Sequence, residues 1–165
     1  MSGLRNLFIT LLITLFIIFT GGFMFTTSAE ASTQSFQWTG KTGYSAQGQF
    51  SYDETKALGT ISEQGAGKTD TVESLVVTFY DPSGEPMNTY HNVLNGMSDG
   101  NYFEFHYDLA NQKLLGSIDL GGEFAGEMYL KGTVDGELSL IKVEQPGIDR
   151  IIDNNADYRI GDRQK

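Results

Sequence analysis

Residues 44–52, YSAQGQFSY, indicate the fold class of this chain. Aromatic and small side chains occupy every second position, and Ser or Gln fills the positions between them. Successive side chains of a β-strand point to opposite faces, so this period of two predicts a half-buried antiparallel strand. Residues 72–80, VESLVVTFY, place Leu75, Val77 and Phe79 on one face and predict a central strand.

Shorter runs of the same kind follow, separated by Gly, Asp, Asn and Pro. They cover residues 36–38, 87–94, 102–107, 114–120, 127–134 and 137–143. Asp135-Gly136 separates the last two runs and predicts a hairpin in which both turn residues have positive φ. The spacing predicts an all-β fold, a single antiparallel β-barrel or β-sandwich of about eight short strands.

Two segments repeat one order of residue types. FSYD at residues 50–53 precedes LGTI at residues 58–61, and FHYD at residues 105–108 precedes LGSI at residues 115–118. Each segment predicts a β-hairpin in which an aromatic strand stops at Asp, turns, and returns through Gly into a β-branched stretch.

The N-terminus has the organisation of a signal peptide. Arg5 precedes an apolar stretch over residues 7–19, and Ala29 and Ala31 have the spacing that signal peptidase accepts. We expect cleavage after Ala31 and export to the periplasm or the extracellular space. Counted on to Phe25, the apolar run approaches the ~20 residues that cross a bilayer, so an uncleaved membrane anchor is the alternative.

These boundaries predict three parts: a signal peptide at 1–31, an antiparallel β domain at 32–144 and a polar tail at 145–165. Pro146-Gly147 is expected to stop the last strand, and Ile148, Ile151 and Ile152 are expected to form one helical turn.

Composition excludes several classes of function. The chain contains no cysteine, which rules out disulfides, thiolate metal sites and cysteine nucleophiles. Its net charge of −10 argues against binding to nucleic acid and to anionic lipid. Contact with a membrane is therefore expected only through the N-terminal segment.

No catalytic residue is predicted. The chain has no G-x-S-x-G nucleophile elbow, and Gly67-Lys68 has Ser62 where a phosphate-binding loop needs glycine. His106 beside Glu104 is interpreted as a surface histidine.

One metal site is considered, in the tail. Asp153, Asn155 and Asp157 have the one-three-five spacing of a calcium-binding loop, although Tyr158 stands where such a loop needs glycine. Calcium is the only cofactor that the sequence suggests.

Residues 43–53, GYSAQGQFSYD, together with residues 73–84, ESLVVTFYDPSG, resemble a family of exported cyanobacterial β-rich domains of unknown function. Many members end in a PEP-CTERM sorting signal. The resemblance spans roughly residues 36–143 and implies export and β-structure without an activity. This chain has no Pro-Glu-Pro near its end, so sorting by that route is not expected here.

Three hypotheses for function follow. The leading one is an exported non-enzymatic binding or structural module for an unknown small molecule or surface partner. An alternative is a lipocalin-like carrier of a small apolar ligand, with the barrel interior lined by Phe50, Tyr52, Phe79, Phe103, Phe105 and Tyr107. A second alternative is a glycosidase-like hydrolase that uses paired carboxylates.

Overall fold

Two antiparallel sheets face each other across one core. The structure, a computed structural model, describes residues 31–155 and the backbone of residues 158–160. In chain order the strands are β1 (Ala31–Thr39), β2 (Ser45–Asp53), β3 (Thr60–Gln64), β4 (Gly67–Lys68), β5 (Val72–Tyr80), β6 (Pro86–Val93), β7 (Met97–Ser98), β8 (Glu104–Asp108), β9 (Lys113–Leu114), β10 (Ser117–Gly121), β11 (Met128–Thr133), β12 (Leu138–Gln145), β13 (Ile148–Asn155) and β14 (Tyr158–Ile160).

Sheet A has the strand order β14-β1-β2-β5-β6, and sheet B has the order β13-β12-β11-β10-β8-β3. The strand β9 pairs with β8, and β4 pairs with β7 in a small separate ribbon. Neither large sheet closes on itself. The all-β prediction is confirmed, and the fold is an open two-sheet sandwich.

The two runs that indicated the fold class form strands as predicted. In β2, residues 46, 48, 50 and 52 are buried and the residues between them face outward. The strand β5 lies between β2 and β6, with Leu75, Val77 and Phe79 fully buried. The prediction of a central strand is confirmed.

Aromatic rings join the two sheets. The Phe50 ring of sheet A lies 4.8 Å from Phe105 and 4.8 Å from Tyr107 of sheet B, edge to face in both cases. Such pairs add about 0.5–1.5 kcal/mol beyond the area that they bury. Beside them the Phe36 ring covers Gly48, where a Cβ atom would lie 2.0 Å from Phe36 Cζ.

The hairpin predicted around Asp135-Gly136 is confirmed, because β11 and β12 pair along their length. Its predicted turn geometry is wrong. Neither Asp135 nor Gly136 has a positive φ, and the Gly136 amide donates to the Thr133 carbonyl at 3.0 Å. The turn starts at Thr133, so Val134 falls inside it and is buried, and a turn closed in this way does not require positive φ.

The helical turn predicted for Ile148, Ile151 and Ile152 is wrong. These residues lie in β13, which pairs with β12. Pro146-Gly147 does end the preceding strand, but with φ 78° at Gly147 it reverses the chain at once. The unpaired edge of β12 then offers backbone N–H and C=O groups, and an extended segment can pair with them whereas a helical turn cannot. This strand, β14 and the two-residue strands raise the number above the expected eight.

The repeated segments differ in outcome. The hairpin predicted for residues 105–118 is confirmed, since β8 pairs with β9 and with β10. The hairpin predicted for residues 50–61 is wrong, because β2 and β3 lie in different sheets and β3 pairs with β8.

The signal peptide predicted for residues 1–31 lies outside the described residues, except for Ala31 at the start of β1. Within the described part of the chain there is no helix long and apolar enough to cross a membrane.

Candidate functional site

A pocket of about 390 Å³ opens on the outer side of sheet B. Its volume lies within the range that small-molecule sites occupy. The lining comes from strands β10 to β13, the loop after β10, the turn between β12 and β13, and the loop before β8. The lining residues are Tyr102, Asp119, Gly122, Glu123, Tyr129, Lys131, Val143, Pro146, Gly147 and Asp149.

An ion pair forms one wall of the pocket. Asp119 and Lys131 stand opposite each other in the register of β10 and β11, with 2.9 Å between Oδ2 and Nζ. Asp119 is only 8% exposed, and this burial raises the pKa of its carboxyl, while Lys131 acts to lower it. The hydrogen bond that Lys131 donates to Asp119 in turn raises the pKa of Lys131.

A second pair lies further along β11. The Tyr129 hydroxyl donates to Asp149 Oδ2 at 2.7 Å. Burial, the hydrogen bond to Asp149 and the negative charge of Asp149 raise the pKa of Tyr129 far above its usual value. Tyr129 is therefore a neutral donor, and Asp149 keeps further lone pairs for another partner.

Glu123 holds the loop at the rim of the pocket. Its Oε1 accepts the Tyr102 amide at 2.7 Å, and its Oε2 accepts the side-chain amide of Asn101 at 3.3 Å. Tyr102 is 69% exposed, which leaves its ring facing solvent at the pocket.

The charges of the pocket do not balance. Among the described residues, three carboxylates, from Asp119, Glu123 and Asp149, line it, whereas Lys131 is the one cation in its lining. Glu104 stands beside Asp119 in register and adds to the negative field, since it raises the pKa of both Asp119 and Lys131. A pocket with this excess of negative charge favours a cationic ligand.

A hydrogen-bonded row continues from Glu104 toward the edge of the sheet. His106 Nε2 lies 3.1 Å from Glu104 Oε1, and His106 Nδ1 lies 2.8 Å from Ser62 Oγ. These are the residue types of a serine hydrolase triad. Ser62 and His106 lie outside the pocket, on neighbouring strands in direct register, so the row is a cross-strand polar ladder.

The six aromatic residues predicted to line a ligand cavity lie in the core. They are Phe50, Tyr52, Phe79, Phe103, Phe105 and Tyr107, each at most 4% exposed. Phe50, Tyr52, Phe105 and Tyr107 make ring contacts with one another, whereas Phe79 contacts Tyr90. None of the six lines the pocket on sheet B. The apolar carrier stays a prediction.

The residues predicted to bind calcium are only partly described. Asp153 is buried and accepts the amides of Thr42, Tyr44 and Asn154 at 2.8–3.3 Å. Burial acts to raise the pKa of Asp153, but these hydrogen bonds outweigh it and lower the pKa. Asn155 donates through its side chain to the Thr39 carbonyl at 2.8 Å, and Asp157 lies outside the described residues. Asp153 thus serves as a clamp on the loop between β1 and β2.

Sequence reasoning did not find the pocket residues. Asp119 and Lys131 are twelve positions apart in the chain, and only the pairing of β10 with β11 brings them together. Asp149 belongs to the segment that was expected to be a polar tail. The available signal was local: Asp119 stands between Ile118 and Leu120, and Lys131 follows Leu130, which marks both as outward positions on half-buried strands.

The chain matches no family model, no curated protein and no solved structure. The resemblance to exported cyanobacterial domains therefore stays a prediction that rests on residues 43–53 and 73–84.

Proposed function

We propose that this chain is an exported, non-enzymatic binding module whose pocket on sheet B takes a ligand with a cationic group. One observation carries the proposal: Asp119, Glu123 and Asp149 converge on a pocket in which Lys131, the one cation among the described lining residues, already pairs with Asp119. Within that described lining the remaining negative charge has no counterion. A ligand that carries an ammonium or guanidinium group would supply it.

The two tyrosines support the same ligand chemistry. Tyr102 and Tyr129 both line the pocket, and a cation near the face of a tyrosine ring gains about 0.5–1 kcal/mol at an exposed site. Asp149 can accept from a planar guanidinium while it keeps the Tyr129 hydroxyl as a second donor. The ring and the carboxylate together would orient such a group.

The test compares two ligands of nearly equal shape. N-acetyl-arginine methylamide carries a guanidinium group, and N-acetyl-citrulline methylamide carries a neutral urea group in its place. We expect calorimetry or NMR titration to show binding of the arginine compound and at least tenfold weaker binding of the citrulline compound. Equal affinity, or no binding of the arginine compound, would refute the cationic specificity.

A charge-removing variant locates the site. Asp149→Asn keeps an acceptor for Tyr129 and should weaken binding about tenfold, because a hydrogen bond to a charged group contributes roughly 1.5 kcal/mol. Glu54→Gln is the matched control, since it removes one negative charge at an exposed position outside the pocket. If both variants bind equally, the pocket is not the site.

The glycosidase-like alternative has one observation in its favour. Three carboxylates share the pocket, and burial raises the pKa of Asp119, as a general acid requires. Against it, each carboxylate already has a partner in the protein. Release of reducing sugar from a panel of glycans, abolished in Asp119→Asn and retained in Glu54→Gln, would establish the hydrolase in place of the binding module.

A further inference from the structure

Four strands of sheet A, β1, β2, β5 and β6, have a largely uncharged outer side. The outward positions of β1, β2 and β6, and those of β5 from Ser74 onward, contain no Asp, Glu, Lys or Arg. The whole chain contains 32 such residues, 11 basic and 21 acidic, so this is an unusual concentration of neutral side chains. Charge returns at the margins. The bulge in β5 places Glu73 beside a depression that Lys56 and Lys68 also line, Asp81 and Glu85 lie in the turn between β5 and β6, and β14 places Arg159 opposite Gln37 in register. We call the outward positions of β1, β2 and β6, with those of β5 from Ser74 onward, the uncharged face.

Polar groups cover the uncharged face in register. Gln37 stands opposite Gln47, which stands opposite Thr78, and Thr78 stands opposite Thr89. Cross-strand hydrogen bonds join Ser51 to Ser74 at 2.7 Å and Thr78 to Thr89 at 2.9 Å. These ladders hold the hydroxyl groups in fixed positions on the sheet.

A shallow depression of about 500 Å³ crosses the middle of the uncharged face. Its polar lining comes from Ser35, Gln37, Gln47, Gln49, Thr78 and Tyr80. Among the described residues, the side-chain amides of Gln37 and Gln49 make no hydrogen bond within the protein, and each amide offers two donors and one acceptor. The depression therefore presents hydrogen-bonding groups but no charged side chain among its described lining residues.

The absence of charge selects the class of partner. Nucleic acid and anionic lipid need clustered Lys or Arg, and a cationic ligand needs carboxylates. A protein interface usually buries an aromatic and aliphatic centre, whereas the larger apolar residues among the described lining of this depression are Tyr80, Val76 and Phe36, and Phe36 is buried. A flat neutral polymer with many hydroxyl groups matches amides, hydroxyls and one tyrosine ring.

We propose that the uncharged face binds a neutral polysaccharide. This site is separate from the pocket on sheet B, and it adds a second ligand class to the binding module. The glutamine amides donate to and accept from sugar hydroxyls, and Tyr80 supplies a ring against a sugar face.

Affinity electrophoresis tests the proposal, because the net charge of −10 gives the protein a strong mobility in a native gel. Gels are cast with hydroxyethylcellulose, dextran or mannan as neutral probes and with alginate as the charged one. We expect at least one neutral polymer to retard the protein and alginate to leave it unretarded. Because no ion pair takes part, retardation should persist from ~0.05 to ~0.5 M NaCl, a range over which screening removes exposed electrostatic attraction.

Variants on the two outer faces locate the binding. The double variant Gln47→Ala and Gln49→Ala, and separately Tyr80→Ala, should weaken retardation at least fivefold. Gln64→Ala is the matched control, because Gln64 is an exposed glutamine on β3 of sheet B. None of these substitutions changes the net charge, and a thermal melt of each variant establishes that it is folded.

Three results would overturn the proposal: no retardation by any neutral polymer, equal retardation of the double variant and the control, or sedimentation that shows a dimer which the double variant abolishes. The last result would make the uncharged face an interface between two copies. Asp149→Asn should bind the polysaccharide like the wild type, so failure of the cationic pocket and failure of this proposal give different patterns.

Discussion

Residues 50–61 and residues 105–118 share an order of residue types, yet they connect strands differently. In the second segment the chain folds back, and Tyr107 and Asp108 pair with Leu114 and Lys113. In the first segment the chain leaves sheet A after Asp53 and enters sheet B as β3. Both edges of β2 are already paired, with β1 along nine positions and with β5 along eight. No edge of β2 is left for β3.

The two segments then become partners of each other. The strand β3, which follows the first Asp, pairs with β8, which carries the second aromatic set. As a result Phe50 contacts both Phe105 and Tyr107 across the core. The difference teaches that a local sequence specifies a strand and a turn, whereas the available edges of other strands specify the pairing.

The largest expected effect concerns the rings that connect the segments. Phe50→Ala and Phe105→Ala should each lower the free energy of unfolding by about 3–5 kcal/mol, because both rings are fully buried. The double variant should reveal a coupling of roughly 0.5–1.5 kcal/mol in urea unfolding. If the losses of unfolding free energy in the two single variants simply add up in the double variant, Phe50 and Phe105 do not interact across the core.

The next effect concerns the glycine that both segments contain after the turn. Gly59 has φ 88° and Gly116 has φ 53°, and no atom within 4 Å would obstruct a Cβ at Gly59. Substitution by alanine at either position should therefore lower the free energy of unfolding by about 1–2 kcal/mol through backbone strain alone. The loss should be larger at Gly59, because its φ lies further from the left-handed well near 57°. Equal stability of wild type and Gly59→Ala in denaturant melts would contradict this reading.

A smaller, pH-dependent effect concerns the two aspartates. The hydrogen bond from Lys56, followed by that from Thr55, lowers the pKa of Asp53 from 3.8 to about 2. Hydrogen bonds from Asn111 lower the pKa of Asp108. A lowered folded-state pKa stabilises the protein above the unfolded value, and this contribution disappears as the pH falls from about 4 toward 2.

Melting temperatures measured across that range test the assignment. The melting temperature of Asp53→Asn should fall less between pH 4 and pH 2 than that of the wild type, since the titrating group is gone. Asp108→Asn should change the profile less, because its main partner is uncharged. Identical profiles for wild type and Asp53→Asn would show that Lys56 does not hold this carboxylate in the folded state.

The smallest effect belongs to the leucine that precedes each glycine. Leu58 is 91% exposed, so Leu58→Ala should change the free energy of unfolding by less than ~0.5 kcal/mol. Leu115 is half-buried in the second segment, and Leu115→Ala should cost more. A large loss at Leu58 in the same urea assay would contradict this expectation and reveal that the 54–59 turn packs against the rest of the protein.

Much of the fold could be predicted from patterns of neighbouring residues. The inward positions of β2 and β5 follow from period-two alternation, and the β11–β12 hairpin follows from two alternating runs with a short turn between them. The prediction failed where a residue's partner lies far along the chain. Ile148, Ile151 and Ile152 have a spacing compatible with a helical turn, and only the open edge of β12 makes them a strand.

The candidate site could not be predicted for the same reason. Asp119, Glu123 and Asp149 are ordinary charged residues in the sequence, and they become one site when the β12–β13 turn reaches the end of β10. The aromatic residues, which stand out in the sequence, are instead core residues, because a sandwich of this size needs large side chains between its sheets.

The sequence by itself determined the all-β class, the inward faces of the long strands, the positions of several turns, and the strong negative charge. These depend on side-chain alternation and on local backbone chemistry, both of which act within a few residues. The tertiary structure alone decided that β3 crosses to sheet B, that Asp153 clamps a distant loop, that three carboxylates meet in one pocket, and that β1, β2, β5 and β6 share an uncharged outer face. Each of these depends on which strand edges and faces remain open after the others have paired.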